Sequence, residues 1–250
     1  LPNNFNPKNS KTSMQTSNFI GELLGTLVLI LLGDGVVANV LLKGSKGENG
    51  GWMVVTAAWA FAVMCGIFVA QKFGSPDAHL NPAVTIAMAI KSGNWSNVLP
   101  FISAQLIGAF LGATLVWLAY LPHWAITEDK GAKLGVFATA PAIRNPVANI
   151  IAEAIGAMVL IIVSSSFSAD LPNGFAPYLV GLLVWSIGLS LGGPTGYAIN
   201  PARDLGPRIA HAILPISGKG GSDWNYAWIP IVGPIVGGVL AALFLNSFNI

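Results

Sequence analysis

Apolar residues arrive in six long runs and two short ones, separated by polar, glycine-rich or proline-containing breaks. The long runs cover roughly 18–42, 52–72, 97–120, 147–168, 176–192 and 226–246. Each is read as a helix crossing a bilayer, which takes about 20 residues. The two short runs extend from Asn81 to Lys91 and from Asn200 to about Leu214. The first would form a helix of only about 16 Å at 1.5 Å per residue. Both open in the same way, with Asn81-Pro82-Ala83 and Asn200-Pro201-Ala202. Asn caps a helix N-terminus well, and Pro suits the first helical position because its missing N–H has no partner there. Gly93 and Pro215 are the expected stops. Short interrupted apolar segments in matching places predict re-entrant half-helices. Irregular backbone at membrane depth survives only where it is buried or lines a wet cavity.

The two halves repeat. Gly21-Glu22-Leu23-Leu24-Gly25-Thr26 corresponds to Ala152-Glu153-Ala154-Ile155-Gly156-Ala157, and Asn81 corresponds to Asn200. The chain divides into a polar tail over 1–17, a first repeat over 18–120, a connecting loop over 121–146 and a second repeat over 147–250. The tail, with Lys8 and Lys11, is expected to be partly disordered and lacks the apolar core of a signal peptide. Three spans and a half-helix occur twice, and an odd number of spans inserts the halves in opposite directions. The fold class expected is therefore an all-α membrane protein of six transmembrane helices and two re-entrant half-helices, an inverted repeat. Glycines four apart, Gly21 and Gly25, Gly108 and Gly112, Gly233 and Gly237, are read as close helix crossings.

Composition supports this picture and excludes others. Hydrophobic residues make up 54% of the 250 and charged residues 9%, against about 25% charged in soluble domains. A net charge of +2 gives no reason to expect nucleic acid. The single cysteine, Cys65, excludes an internal disulfide and gives no metal spacing. Lysines fall on both sides of the expected membrane: Lys8, Lys11, Lys72 and Lys91 with the termini, Lys43, Lys46, Lys130, Lys133 and Lys219 opposite. Taken alone, this bias leans away from termini on the positive, cytoplasmic side.

The chemistry concentrates at the two short segments. Opposed half-helices point two N-termini at the midplane, and their dipoles add a positive potential that opposes cations and protons. Each Asn can cap its helix and still offer amide N–H groups to a passing hydroxyl. The residues before each Asn, Asp77 to Leu80 and Gly196 to Ile199, are expected to be extended, with carbonyls forming a ladder of acceptors. Arg203 breaks the repeat, since its counterpart is Val84. A cation in the first turn of a membrane-buried helix is costly and marks function.

Ala78-His79-Leu80-Asn81-Pro82-Ala83-Val84-Thr85 and Gly196-Tyr197-Ala198-Ile199-Asn200-Pro201-Ala202-Arg203-Asp204 resemble the two signature loops of the aquaporins, or major intrinsic proteins. The resemblance covers the chain from about Asn18 to its end, and the Asp after Asn-Pro-Ala-Arg is similar to the glycerol-conducting branch. It implies a passive channel for glycerol, other small neutral solutes and water. It also implies a homotetramer with one pore per subunit, in the plasma membrane, with no cofactor and no catalysis. Arg203 would be the arginine of the selectivity filter. Tyr197 would stand where glycerol channels usually have Phe, and Gly188 where water-selective members have His, leaving room in the filter. Trp59 would be the filter's Trp, or else Phe61 would take that place. Polyols and water would pass His79, Leu80, Ala198 and Ile199 between Asn81 and Asn200. The Tyr197 hydroxyl either adds polarity to the filter, extending the range to dihydroxyacetone or protonated lactic acid, or turns away to a backbone partner.

Glu22 and Glu153 are carboxylates inside matching spans, and membrane carboxylates need partners. They are read as supports of the two loops, with Asp204 tying the second. Asp34 is expected to make a polar packing contact near a span end. His79 is expected to bond within its loop, while His123 and His211 look peripheral. A water-selective channel, a coupled transporter and a membrane enzyme are the rival readings. The first would fit His at 188, the second paired titratable groups along the path, the third a His, Cys or Asp cluster.

Overall fold

The computed structural model describes residues 17–168, 170–172 and 174–249, so the expected tail over 1–17 falls almost entirely outside them. The described residues form ten helices and no strand. The first repeat comprises α1 (Asn18–Leu41), α2 (Gly51–Lys72), the short α3 (Pro82–Ser92) and α4 (Val98–Ala119). The second comprises α7 (Pro146–Ser165), α8 (Ala176–Leu191), the short α9 (Pro201–Ile213) and α10 (Ile229–Ser247). Between them lie α5 (Leu121–Ile126) and α6 (Lys130–Phe137), in a segment read from the sequence as a polar loop. Asp129 caps α6 by accepting from the N–H groups of Gly131 and Ala132, and Val136 and Phe137 bury its apolar side.

Among the described residues, five helices are long and apolar enough to cross a membrane: α1, α2, α4, α7 and α10. The expected fifth span, α8, has 16 residues, about 24 Å. It stops at Gly192 because the residue before Pro194 is pushed out of helical conformation. Both half-helices begin as the sequence indicates. Asn81 accepts from the Ala83 N–H at 2.9 Å, and Asn200 from those of Ala202 and Arg203 at 3.0 and 3.2 Å. α3 ends at Gly93 in the left-handed conformation (φ 72°), which Gly adopts without steric cost.

Packing follows the repeat. α1 lies against α4, and α7 against α10. Each half-helix packs on the last span of the other repeat, α3 on α10 and α9 on α4, so neither half is closed without its mate. Glycine sets the crossing distances. A Cβ on Gly108 would lie 2.2 Å from the Leu23 carbonyl oxygen, and one on Gly237 2.1 Å from that of Ala154. Outward faces carry exposed Leu99, Ile107, Leu111, Val236, Leu240 and Phe244, an apolar exterior that only lipid or another subunit can cover. The fold is an all-α, multi-pass membrane fold with two re-entrant half-helices.

Candidate functional site: a pore between two capped half-helices

The two Asn side chains meet across the repeat axis. Asn81 Nδ2 donates to the Ile199 carbonyl at 2.9 Å, and Asn200 Nδ2 donates to the Leu80 carbonyl at 2.8 Å. Each Asn thus caps its own helix with its oxygen and grips the opposite loop with one N–H. An amide has two N–H bonds, so each retains one for the lumen. Both residues line an internal cavity of about 230 Å³, together with Trp59, Leu80, Tyr197 and Arg203. From the level of Trp59 to that of Gln71, this cavity runs about 18 Å along α2. It lies on the side of the bundle where α2 ends.

The backbone leading to each Asn differs from the expected extended form. Ala78 and Leu80 have φ of 44° and 52°, and Tyr197 and Ile199 have 39° and 44°. The reason is visible in the hydrogen bonds. Consecutive N–H groups of an extended strand point to opposite sides, yet those of His79 and Leu80 both reach the Glu22 carboxylate, at 2.8 and 2.7 Å. Those of Ala198 and Ile199 both reach Glu153, at 2.9 and 2.7 Å. In a trans peptide the carbonyl points away from the N–H. The carbonyls of Ala78, His79, Tyr197 and Ala198 are therefore turned away from the two carboxylates, toward the lumen. Alternating left-handed residues produce the ladder of acceptors that an extended chain could not. Leu80 and Ile199 spend their carbonyls on the two Asn amides instead.

Glu22 has two further donors, Ser75 Oγ at 2.7 Å and Gln105 Nε2 at 2.8 Å. Gln105 also donates to Thr85 Oγ1 at 3.0 Å, and Thr85 meets His79 Nδ1 at 3.2 Å. His79 is thus held beside its own loop, with its ring edge against Phe101. Gln105 carries no role in the sequence reading. An amide in an otherwise apolar span, level with Glu22, was the available signal.

The surroundings of Arg203 have no counterpart in the first half. Arg203 is 7% exposed, and its Cζ lies 4.1 Å from the centre of the Trp59 ring, a cation–π arrangement. Trp59 is buried, whereas Phe61, the other candidate, is 55% exposed on the outside. Arg203 Nη1 also donates to the Phe137 carbonyl at 3.4 Å, so the connecting segment contributes to the constriction. Asp34, expected in a polar packing contact, lies beside Arg203. It is completely buried, with Oδ1 3.7 Å from Arg203 Nη1.

Gly188 does not leave open room. A Cβ there would lie 2.8 Å from Tyr197 Cζ and 3.0 Å from its hydroxyl oxygen, so the phenol end already fills the space. The Tyr197 ring stands edge-on to Trp52 at 5.8 Å, and Trp52 Nε1 donates to the Gly188 carbonyl at 3.0 Å. The Tyr197 hydroxyl is buried without a hydrogen-bond partner among the described residues. It turns away from the lumen, but to no backbone acceptor.

Asp204 is also completely buried and fully engaged. It accepts from the Thr139 N–H and hydroxyl at 2.8 and 2.7 Å, and from Arg208 Nε at 2.8 Å. Arg208, absent from the sequence reading, donates onward to the carbonyls of Thr139 and Ser222. Its signal was an acid and a base four residues apart on one short helix. His211, expected at the periphery, is buried, with Nδ1 2.8 Å from Ser222 Oγ. Lys219 folds back to cap the end of α9, donating to the carbonyls of His211, Ala212 and Leu214. His123 is exposed, as expected.

Comparison with known proteins finds similar chains over most of this one's length. The family described as major intrinsic protein matches residues 9–245. The chain is 57% identical over 232 residues to the probable glycerol uptake facilitator protein of Thermotoga maritima, covering 92% of this chain and 98% of that one. It is 55% identical over 229 residues to glycerol uptake facilitator protein 3 of Lactiplantibacillus plantarum, covering 91% and 95%. Among solved structures, the aquaglyceroporin from Plasmodium falciparum matches with a TM-score of 0.80 at 31% identity, over 92% of this chain and 94% of that one.

Proposed function

The chain belongs to the major intrinsic protein family, and we infer that it is a passive channel for glycerol and water of the aquaglyceroporin branch. One observation carries this reading. Two opposed half-helices, capped by Asn81 and Asn200, are locked to each other's loops with their dipole ends converging on a lumen. That arrangement offers donors at the centre and carbonyl acceptors on either side, which suits a neutral polyol. Its positive potential opposes cations and protons.

Selectivity is assigned to the constriction. Arg203 donates to solute hydroxyls, while Trp59 and the Tyr197 ring form an apolar corner for the carbon backbone. Gly188 is the position that lets Tyr197 seat. Leu80, His79, Ala198 and Ile199 belong to the conducting loops, supported by Glu22, Glu153 and Asp204. The buried Tyr197 hydroxyl gives no support for extending the range to dihydroxyacetone or lactic acid. The channel acts in the plasma membrane, as a homotetramer with one pore per subunit. Its broad apolar exterior and its family membership support that setting.

The test is solute flux in proteoliposomes. Swelling in glycerol that rises linearly with concentration, without dependence on a proton gradient, is the expected result. Saturation or proton coupling would identify a transporter. Rapid water flux with glycerol excluded would identify a water-selective channel.

A further inference from the structure

Arg203 is a buried cation, and the neighbouring acid on its own helix is already engaged. Asp204 is held by Arg208 at 2.8 Å and by Thr139. The carboxylate that faces Arg203 comes from the first span. Asp34 lies in the middle of Gly33-Asp34-Gly35 on α1, with no exposed surface, and Arg203 Nη1 is its only cation within 4.0 Å among the described residues. Neither Asp34 oxygen has a hydrogen-bond donor among those residues. A carboxylate with that burial is sustained only by charge pairing.

The surrounding triplet is shaped for the same contact. A Cβ on Gly33 would lie 2.3 Å from the Trp59 ring, so this glycine lets Trp59 lie flat against α1. The Gly35 carbonyl accepts from Tyr120 Oη at 3.2 Å, fixing the height of the span beside the connecting segment. One turn of α1 thus seats the ring above the guanidinium and sets a counter-charge beside it.

We propose that Asp34 is a hidden member of the constriction, a positioning residue that holds the Arg203 guanidinium against Trp59 and offsets its charge. It does not line the lumen. Its contribution is to decide where the Arg203 N–H groups point and how positive the narrowest part of the pore is. The guanidinium then has one side engaged by the carboxylate and the Phe137 carbonyl, leaving its remaining N–H groups for a solute. Without Asp34 the constriction carries an unbalanced positive charge on a side chain free to swing. The consequence is a pore that discriminates less among neutral solutes and admits small anions.

This inference rests on the channel reading, and the experiment separates the two. Wild-type protein, Asp34→Asn, Arg203→Val and the double variant are reconstituted in matched vesicles. Glycerol, urea and nitrate fluxes are measured per folded channel. Failure of the wild type to pass glycerol would overturn the channel reading and the proposal with it. With a conducting wild type, Asp34→Asn is expected to raise the nitrate-to-glycerol flux ratio about tenfold and to shift the glycerol-to-urea ratio severalfold. In the Arg203→Val background the same substitution is expected to change neither ratio. A purely structural role would lower the amount of folded protein and leave the ratios per channel unchanged, which would overturn the proposal. If Asp34→Asn alone fails to accumulate, the double variant, with neither charge left unpaired, is expected to recover. No recovery would likewise overturn it.

Discussion

The two re-entrant loops are alike at their centre and different around it. In both, one carboxylate gathers two consecutive N–H groups, and one Asn caps a half-helix and grips the opposite carbonyl. Beyond that core the first loop is tied by neutral groups: Ser75, Thr85 and Gln105. The second is tied by ions: Asp204 with Arg208, and Arg203 with Asp34. Position for position, Thr85 stands where Asp204 stands in the second half, and Val84 where Arg203 stands. The shared core supplies what both halves of a pore need, namely donors, acceptors and a dipole end. The difference supplies discrimination. A buried guanidinium cannot be introduced alone, so it arrives with a carboxylate from α1 and a carbonyl from the connecting segment.

Matched substitutions should separate the two modes of support most strongly. Asp204→Val leaves Arg208 buried beside no carboxylate, and the expected loss is about 3–5 kcal/mol. Thr85→Val removes neutral hydrogen bonds only, at a cost of about 1–2 kcal/mol. Thermal unfolding of the purified proteins ranks them, and equal losses would break the comparison. Next in size is the pair of carboxylates. Glu22 accepts four hydrogen bonds, two from side chains. Glu153 accepts from the N–H groups of Ala198 and Ile199 and has the Thr195 hydroxyl as a further partner. Glu22→Gln should therefore cost about 3 kcal/mol and Glu153→Gln somewhat less. The reverse order in the same melting experiment would show that the second loop depends more on its carboxylate than its partners indicate.

At the constriction the expected effects are smaller and lie in transport. Gly188→Ala places a Cβ against the Tyr197 ring and should displace it, at about 1–3 kcal/mol. Glycerol flux should fall severalfold while water flux is largely retained, as measured by stopped-flow swelling. Tyr197→Phe should do least. It removes a buried hydroxyl that has no partner among the described residues, so stability should hold or rise by up to about 1 kcal/mol, and the ratio of glycerol to urea flux should stay unchanged. A changed ratio would mean that the hydroxyl reaches the solute.

Local features of the loops are legible in the sequence. The half-helices were legible because capping is local: Asn, Pro and a following apolar run specify a helix start within four residues. The paired glutamates were legible because a carboxylate in an apolar span is conspicuous and the repeat displayed it twice. Asp34 was equally conspicuous, but nothing in its neighbourhood names a partner 169 positions away on another helix. Gln105 and the Phe137 carbonyl share that property. The exchange of Gly188 for room was misread for a related reason. A glycine shows that space is needed, and only the packed neighbour shows what takes it.

By itself, then, the sequence determined the apolar helices, the two half-helices with their Asn caps and their opposed insertion. These depend on hydropathy, repeat symmetry and interactions within a few residues of each other. Tertiary structure alone decided the left-handed path of the loops, the seating of Tyr197 over Gly188 and the choice of carboxylate for Arg203. Those outcomes depend on distances between elements far apart in the chain, where burial makes a partner obligatory without saying which residue provides it.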